Sequence, residues 1–372
     1  MSLPVNPHTH PWRSWMLRAL ALAALGEGRT SPNPLVGAVV LDASGQLVGE
    51  SFHPRVGEPH AEVGALAQAG ERARGGTLVV TLEPCCHHGR TPPCCEAVIS
   101  AGITRVVVAI SDPDPRVAGT GLARLRHAGL EVICGVAESE ARQQNRAFLH
   151  RVTTGRPWGV FKWAMSLDGR TALPNGQSQW ISGPAARQWV HGLRACCDAV
   201  IVGGGTVRAD NPLLTSRGRR QPEPLRVVLS RELELPVQAR LWEREAPTLV
   251  AHGPEAGLDA RRQLDGLGVE RLALDRCTPQ VLLEALARRG CNQVLWECGP
   301  VLAAAAVREG CVQEVVAVMA PKLLGGEPAR TALGGLGAER MAEARLLITK
   351  DVGWIEGDLY WRAAVEGPWT RR

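Results

Sequence analysis

Short apolar runs recur along almost the whole chain, and most are separated by stretches with helical spacing of apolar residues. Runs that short and that continuous read as buried strands. Strands that alternate with helices pair in parallel, because each helix carries the chain back to the same edge of the sheet. The pattern therefore predicts α/β architecture, with mostly parallel sheets covered on both faces. It places strands at 36–41, 77–82, 105–110 and 130–134, and helices at 12–25, 61–69, 95–101 and 121–128. A second series has strands at 160–166, 199–202, 226–229, 248–251, 293–296 and 314–319. Its helices fall at 185–194, 259–267, 279–289 and 301–309. Between the two series, Thr153-Thr154-Gly155-Arg156-Pro157 breaks the alternation. A chain of 372 residues suits two domains, so domains are expected at 1–155 and 156–372. The first ten residues, polar and with prolines, read as a loose extension.

The hydrophobic fraction is 45% and the charged fraction 21%, enough for each half to bury a core. The formal net charge is +5 with no run of like charges. That gives no reason to invoke nucleic acid or membrane, and slightly favours a phosphorylated small substrate. No run of about eighteen apolar residues occurs, so no transmembrane helix is expected. The apolar segment 17–25 leads into Gly26-Glu27-Gly28-Arg29 rather than a cleavage site. It reads as a core helix, and the chain is expected to be cytoplasmic. Of the 11 cysteines, several are adjacent, at Cys85 and Cys86, Cys94 and Cys95, and Cys196 and Cys197. In a reducing compartment such pairs are metal ligands or small buried residues. Lysine occurs only at Lys162, Lys322 and Lys350, so a lysine that survives the arginine bias is a candidate for a role that needs lysine.

Three segments carry the strongest chemical signal: Pro59-His60-Ala61-Glu62, Glu83-Pro84-Cys85 and Pro92-Pro93-Cys94. One histidine and two cysteines can supply three tetrahedral zinc ligands and leave a fourth position for water. Zinc lowers the pKa of that water toward neutrality. Glu62, beside the histidine, can take the water's proton and pass it to a leaving amine. The H-x-E and P-C…C pattern is that of zinc nucleobase deaminases, with a longer gap between the cysteines. His60 and Cys94 each follow proline at an expected helix start, where a thiolate is favoured. Spacing alone does not separate Cys85 from Cys86, or Cys94 from Cys95. A closed site using Cys86 or Cys95 as a fourth ligand would instead mark a zinc-stabilised scaffold.

The run from Thr81 to Cys94, TLEPCCHHGRTPPC, closely resembles the deaminase domain of the bacterial bifunctional riboflavin-biosynthesis family. Pro32-Asn33-Pro34-Leu35-Val36-Gly37, Gly57-Glu58-Pro59-His60-Ala61-Glu62-Val63, Asp112-Pro113 and Val117-Ala118-Gly119 are similar to it too. The resemblance implies a cytidine-deaminase-like three-layer αβα sandwich. It implies that His60, Cys85 and Cys94 bind zinc and that Glu62 shuttles protons. It also implies that Asn33, His87 and Arg90 lie by the substrate's ring and ribose phosphate, where arginine grips phosphate by paired hydrogen bonds. The sequence departs from the family at Cys86, where Ser or Thr is usual, at Gly64, where a second histidine is usual, and at Asp114, where Asn is usual.

In the second half, Gly203-Gly204-Gly205-Thr206 follows an apolar strand without forming a G-x-G-x-x-G fingerprint; it is a phosphate loop or a plain turn. Gly299-Pro300 opens an expected helix after a strand, a place suited to a dinucleotide phosphate. Lys162, Ser166-Leu167-Asp168-Gly169, Gln179-Trp180-Ile181-Ser182 and Gly205-Thr206-Val207-Arg208-Ala209-Asp210-Asn211-Pro212 resemble the reductase domain of the same family. Glu297-Cys298-Gly299-Pro300 and the run APKLLGG at 320–326 continue the likeness. The resemblance implies a dihydrofolate-reductase-like α/β fold. It implies NADPH contacts at Ala164, Trp180, Thr206, Asp210, Gly299 and Pro300, and substrate contacts at Ser178, Arg194, Leu214, Arg217 and Glu297. Departures are Ser230, where Asp is common, and Cys298, where Gly or Ala is usual.

The resemblance implies two consecutive reactions, deamination of a phosphorylated ribosylaminopyrimidine and NADPH-dependent reduction of its ribosyl group to ribityl. A homo-oligomer is expected, with no nucleic-acid or membrane partner. A nucleic-acid deaminase would share His60, Glu62 and the cysteines, but needs a basic groove with aromatics, and aromatics make up 4% of the chain. A chain that deaminates while its reductase half has degenerated is the other alternative, since Ser230 and Cys298 fall near the cofactor.

Overall fold

In a computed structural model of the chain, residues 10–86, 93–114 and 118–367 are described. The chain divides into two compact units, Met1–Thr154 and Gly155–Arg372.

The first unit opens with α1 (Arg13–Ala24) and a hairpin of β1 (Gly37–Leu41) and β2 (Leu47–Phe52). Then come α2 (Ala61–Ala69), β3 (Thr77–Leu82), α3 (Cys94–Ser100), β4 (Arg105–Ile110), α4 (Thr120–His127) and β5 (Glu131–Cys134), followed by α5 (Glu138–Gln144) and α6 (Arg146–Thr154). The sheet order is β2-β1-β3-β4-β5. Strands β3, β4 and β5 are parallel, whereas β1 runs antiparallel to both neighbours. The mostly parallel sheet foreseen is thus half antiparallel here. Strand β2 was not foreseen, because Gly49, Glu50 and Ser51 interrupt its apolar run at the sheet edge.

Alternation along each strand builds the two other layers. Ala38, Val40, Leu78, Val80, Val106 and Val108 face α2, α3 and α4. Their neighbours Val39, Leu41, Val79, Val107 and Ala109 face α1 and α5. A side chain at Gly37 would stand 1.9 Å from the Ala19 carbonyl oxygen, so glycine there permits α1 to lie directly on β1.

The second unit contains β6 (Trp158–Ser166), α7 (Pro184–Ala195), β7 (Ala199–Gly203), α8 (Gly204–Asp210), β8 (Leu225–Leu229), β9 (Thr248–His252) and α9 (Leu258–Gly266). It continues through β10 (Glu270–Ala273), α10 (Pro279–Arg288), β11 (Gln293–Trp296), α11 (Pro300–Arg308), β12 (Glu314–Ala320), β13 (Leu347–Ile355) and β14 (Asp358–Val365). The nine strands order as β10-β9-β8-β7-β11-β6-β12-β14-β13. All pairs from β10 to β12 are parallel, and β14 is antiparallel to β12 and β13. That order, ending in an antiparallel hairpin, differs from the 3-2-1-4-5-6 order of doubly wound dinucleotide folds and fits the dihydrofolate-reductase-like expectation. Ile201, Val227, Leu249, Val294 and Trp296 pack against α10 and α11 on one face. Val200, Val202, Val228, Val250 and Leu295 pack against α7 and α9 on the other. Strand β10 and the β13–β14 hairpin were not foreseen, since β10 is short and half exposed and the hairpin lacks a continuous apolar run.

Buried charges pin a loop in each unit. The Glu83 carboxylate, just after β3, accepts from the backbone N–H groups of Asp112, Gly119, Gly121 and Leu122 at 2.9 to 3.2 Å. A side chain at Gly121 would stand 2.2 Å from the Pro84 carbonyl oxygen. The Arg226 guanidinium on β8, 1% exposed, donates to the carbonyls of Leu213, Arg240, Glu243 and Ala246. Charge-assisted hydrogen bonds of this kind are among the stronger ones, and removing one partner leaves several buried groups unpaired. Glu83→Ala is expected to lower stability in urea unfolding by about 3 kcal/mol or more. A midpoint equal to the wild type's would show that other contacts hold the 112–122 segment.

Candidate active sites

Parallel pairing puts the C-terminal ends of β3 and β4 at one edge of the first sheet. Cys85 leaves the end of β3, Cys94 opens α3, and His60 sits at the N-cap of α2. One ligand atom from each of these three residues lies within 4.8 Å of the others. The His60 Nδ1 is 3.1 Å from Cys94 Sγ and 3.6 Å from Cys85 Sγ. A tetrahedral zinc ion spaces its nitrogen and sulfur ligands by about 3.6 Å, so the donor set fits zinc in both chemistry and spacing. The ambiguity left by spacing is resolved in geometry. Cys95 turns away and donates to the carbonyls of Pro84 and Gly121. Burial pushes the Cys86 and Cys95 thiols up, which keeps them protonated. The Cys94 thiol donates to Cys85 and, with His60 also beside it, holds Cys85 down at about 4. Among the described residues this is the one cluster that could hold a metal ion.

Glu62 is 3% exposed, on the first turn of α2. Burial pushes its carboxyl above the usual range, and the neighbouring Cys85 adds to the rise. Its carboxyl also contacts Cys94, so the acid stands against the ligand cluster and can hold a proton there. The Asn33 amide pairs with His53 at 3.0 Å. His53 in turn reaches the Pro59 carbonyl at 3.2 Å, and its ring meets that of His60 edge to face at 5.4 Å. The carbonyl accepts, so the His53 Nδ1 carries the proton and its Nε2 accepts from Asn33. The sequence reading missed His53, a lone histidine outside any quoted motif. His87 and Arg90 lie outside the described residues.

The eleven cofactor and substrate residues expected in the second half line one cleft of about 1470 Å³. Ala164, Thr206, Gly299 and Pro300 come from the C-terminal ends of β6, β7 and β11 and the segments that follow. Gly203-Gly204-Gly205-Thr206 ends β7 and begins the short helix α8, so it is neither a bare turn nor a strand. The Thr206 hydroxyl accepts from the Gly299 N–H at 3.2 Å and ties the two segments together. At Gly205 an added side chain would meet nothing within 4 Å, and at Gly299 its nearest contact would be 3.7 Å away. Open backbone of this kind at a helix start suits a dinucleotide phosphate. Trp180 is 62% exposed, with the Arg187 guanidinium 4.5 Å from its ring centre. Asp210 accepts from the Ser178 hydroxyl at 2.9 Å, so an expected cofactor contact orients an expected substrate contact.

Arg194 and Glu297 form a two-bond ion pair at 2.6 and 3.1 Å, and Arg194 also donates to the Thr215 carbonyl. Burial alone would raise the Glu297 carboxyl. Arg194 outweighs it, aided by Lys162 and His191, and holds the carboxyl below its ordinary value. Lys162 and His191 are both pushed down, first by burial and then by Arg194. Leu214 and Arg217 complete this end of the cleft with positive φ angles of 60° and 58°. Such backbone is costly for non-glycine residues and clusters at ligand sites. Among these residues Lys162 had stood out as one of only three lysines in the sequence, and His191 had carried no signal. Cys298 lines the cleft as a neutral thiol pushed up to about 12 by burial.

Two family models match. Residues 11–110 match the cytidine and deoxycytidylate deaminase zinc-binding region, and residues 157–353 match the RibD C-terminal domain. The riboflavin biosynthesis protein RibD of Synechocystis is 51% identical over 341 residues, covering 91% of each chain. That of Escherichia coli is 41% identical over 360 residues, covering 93% of this chain and 97% of the other. The solved structure of Acinetobacter baumannii RibD superposes with a TM-score of 0.87 at 41% identity, covering 95% of this chain and 99% of that one. A diaminohydroxyphosphoribosylaminopyrimidine deaminase/5-amino-6-(5-phosphoribosylamino)uracil reductase from Thermotoga maritima gives 0.86 at 36% identity, covering 96% and 99%. At this identity and coverage, over both the ligand cluster and the cleft, the chain belongs to the RibD family of bifunctional deaminase–reductases of riboflavin biosynthesis.

Proposed function

We propose that the chain deaminates 2,5-diamino-6-ribosylamino-4(3H)-pyrimidinone 5′-phosphate in residues 1–155 and reduces the product's ribosyl group to ribityl in residues 156–372. The observation that carries the reading is the convergence of His60, Cys85 and Cys94 on one point beside the fully buried Glu62. Zinc, when bound by those three side chains, supplies water ionised near neutral pH. Glu62 accepts a proton during attack on the amine-bearing ring carbon and returns it to the departing ammonia. Burial suits it to that exchange, because a raised carboxyl holds its proton closer to neutral pH. Asn33, with its amide plane fixed by His53, orients the pyrimidine ring. His87 and Arg90 are assigned to the same substrate.

In the second half, NADPH supplies the hydride that goes to C1′ of the ribosylamino group. Ala164, Trp180, Thr206, Asp210, Gly299 and Pro300 hold the cofactor. Ser178, Arg194, Leu214, Arg217 and Glu297 hold the substrate. The Arg194–Glu297 pair sets the position of the sugar, and Arg217 and Lys162 make that end of the cleft positive enough for a phosphate. No nucleophile is needed; the work is holding two reactants in contact.

A homo-oligomer is proposed through the terminal hairpin. One face of it packs on α7, where Trp189 and Tyr360 meet at 5.0 Å. The other carries Val352, Trp354 and Trp361, exposed by 50%, 73% and 46%, with Val352 directly opposite Trp361. β13 is a long edge strand, and such an edge with apolar side chains is normally covered. None of the 11 cysteines forms a disulfide, which suits the reducing cytoplasm. No helix among the described residues is long and apolar enough to cross a membrane. No nucleic-acid partner is proposed.

Ammonia release and NADPH oxidation by zinc-loaded protein test the main reading, and absence of both with zinc bound would end it. Glu62→Gln should retain its zinc, by metal analysis, while ammonia release falls by roughly 10²- to 10⁴-fold. Unimpaired release would remove Glu62 from the proton path. Trp354→Glu should convert the oligomer to monomer in light scattering after size exclusion; an unaltered mass would place the interface elsewhere.

A further inference from the structure

Arg217 lies on an exposed turn between α8 and β8 and lines the second cleft. Its backbone is left-handed at φ 58°, and Gly218 follows at φ 77°. Glycine takes that conformation freely. Arginine does not, because its Cβ crowds the carbonyl that follows. A chain left to itself would therefore swing Arg217 out of it. The charge at this position is nonetheless felt inside the cleft. His191, another lining residue, is pushed down by burial first, then by Arg194 and by Arg217. The guanidinium belongs to the cleft only while the turn keeps its shape.

The Glu223 carboxylate supplies that shape. One oxygen accepts from the Ser216 N–H at 2.6 Å and the other from the Gly218 N–H at 2.8 Å, so the two bonds bracket Arg217. N–H groups on either side of a left-handed residue converge into a concavity that elsewhere binds free anions. Here a side chain of the protein itself fills it. Hydrogen bonds to a carboxylate are among the stronger ones, and they offset the cost of the left-handed backbone. The turn is also tied down before and after. Arg194 donates to the Thr215 carbonyl at 2.9 Å. The Arg220 N–H donates to the buried Ser216 hydroxyl at 3.2 Å, and its guanidinium donates to the Cys197 carbonyl and to Asp198. Those contacts hold Thr215, Ser216 and Arg220; the pair of bonds that flanks Arg217 comes from Glu223. Glu223 does not line the cleft, so its charge is used on the turn and is not set against an incoming phosphate.

We infer, on the reading of Arg217 as a substrate contact, that Glu223 is a positioning residue of the reductase half: by fixing the left-handed Arg217 it aims the guanidinium at the substrate's phosphate. Arginine meets a phosphate through two parallel N–H bonds only when its plane is correctly directed, so aim matters as much as charge. Glu223 itself touches neither substrate nor cofactor. It acts through Arg217, and so governs binding rather than hydride transfer.

The test is reductase kinetics of the full-length protein with 5-amino-6-(5-phosphoribosylamino)uracil. Wild type is compared with Glu223→Ala, Glu223→Gln, Arg217→Ala and the double variant Glu223→Ala/Arg217→Ala. Glu223→Ala should raise KM by about tenfold or more with kcat little changed, because a charge-assisted contact is lost while the reacting groups stay in place. Its affinity for NADP⁺ in calorimetry should match the wild type's. Glu223→Gln keeps one carbonyl acceptor and should raise KM by less; it carries the test alone where Glu223→Ala does not fold. The double variant should have the KM of Arg217→Ala, since an effect routed through Arg217 vanishes with it. An unmoved KM in the folded Glu223 variants, a further rise in the double variant, or NADP⁺ affinity falling in step would overturn the positioning role and leave Arg217 a substrate contact. Arg217→Ala with the wild-type KM would overturn both.

Discussion

The zinc-type cluster depends on a carboxylate that is not part of it. Glu83 follows β3 and collects four backbone N–H groups from beyond β4. Two residues later the chain delivers Cys85. With the segment anchored, Gly121 closes on the Pro84 carbonyl and Cys95 on the Pro84 and Gly121 carbonyls, so α3 starts with Cys94 facing His60. Parallel pairing of β3 and β4 brings these loops to one edge; the buried charge fixes their separation. The two carboxyl oxygens in that position satisfy backbone donors that the sheet leaves unpaired.

The second unit solves the same problem with the opposite sign of charge. Arg226 gathers four carbonyls behind β8, and in front of the sheet Arg194 holds Glu297. Buried pairs gain little net stability by themselves, because desolvation offsets attraction. Here Arg194 and Arg217 outnumber the single carboxylate, and the surplus positive charge suits a phosphorylated ligand. The departures from the family pattern at Ser230 and Cys298 put no new charge in this unit. One is a small hydroxyl against Gly204, and the other a neutral thiol.

The parts legible in the sequence were those with local signals. Continuous apolar runs gave the central strands, because both faces of those strands are buried. His60, Cys85 and Cys94 stood out through proline and glutamate neighbours at short range. The elements that escaped depend on partners distant in sequence. β2 and β10 are edge strands with one face exposed, and the β13–β14 hairpin alternates polar and apolar residues against α7 and solvent. Gly203 to Gly205 looked like a turn because glycine disfavours helix interiors, yet here it opens one. His53 has a place defined by what lies across the fold, the Asn33 amide. Nothing within a few residues of it announces that.

Two buried glutamates show how environment divides labour in one chain. Glu62 is buried and the Glu297 side chain is only 11% exposed, and burial favours the neutral acid in each. Glu62 has His60 as a partial counterweight but Cys85 beside it, so burial wins and the carboxyl rises. Glu297 has Arg194 in two hydrogen bonds and Lys162 behind, so the cations win and it falls. The consequences run in opposite directions. A raised carboxyl favours the folded state at low pH and loses that advantage as pH climbs through its folded pKa. A lowered one favours the folded state at neutral pH and loses it as pH drops through its own. Near neutrality Glu297 is a fixed anion that positions Arg194, and Glu62 is the one whose proton is nearest to exchange. Proton transfer is needed at the first site and rigid charge at the second, and the difference follows from which neighbours share each glutamate's burial.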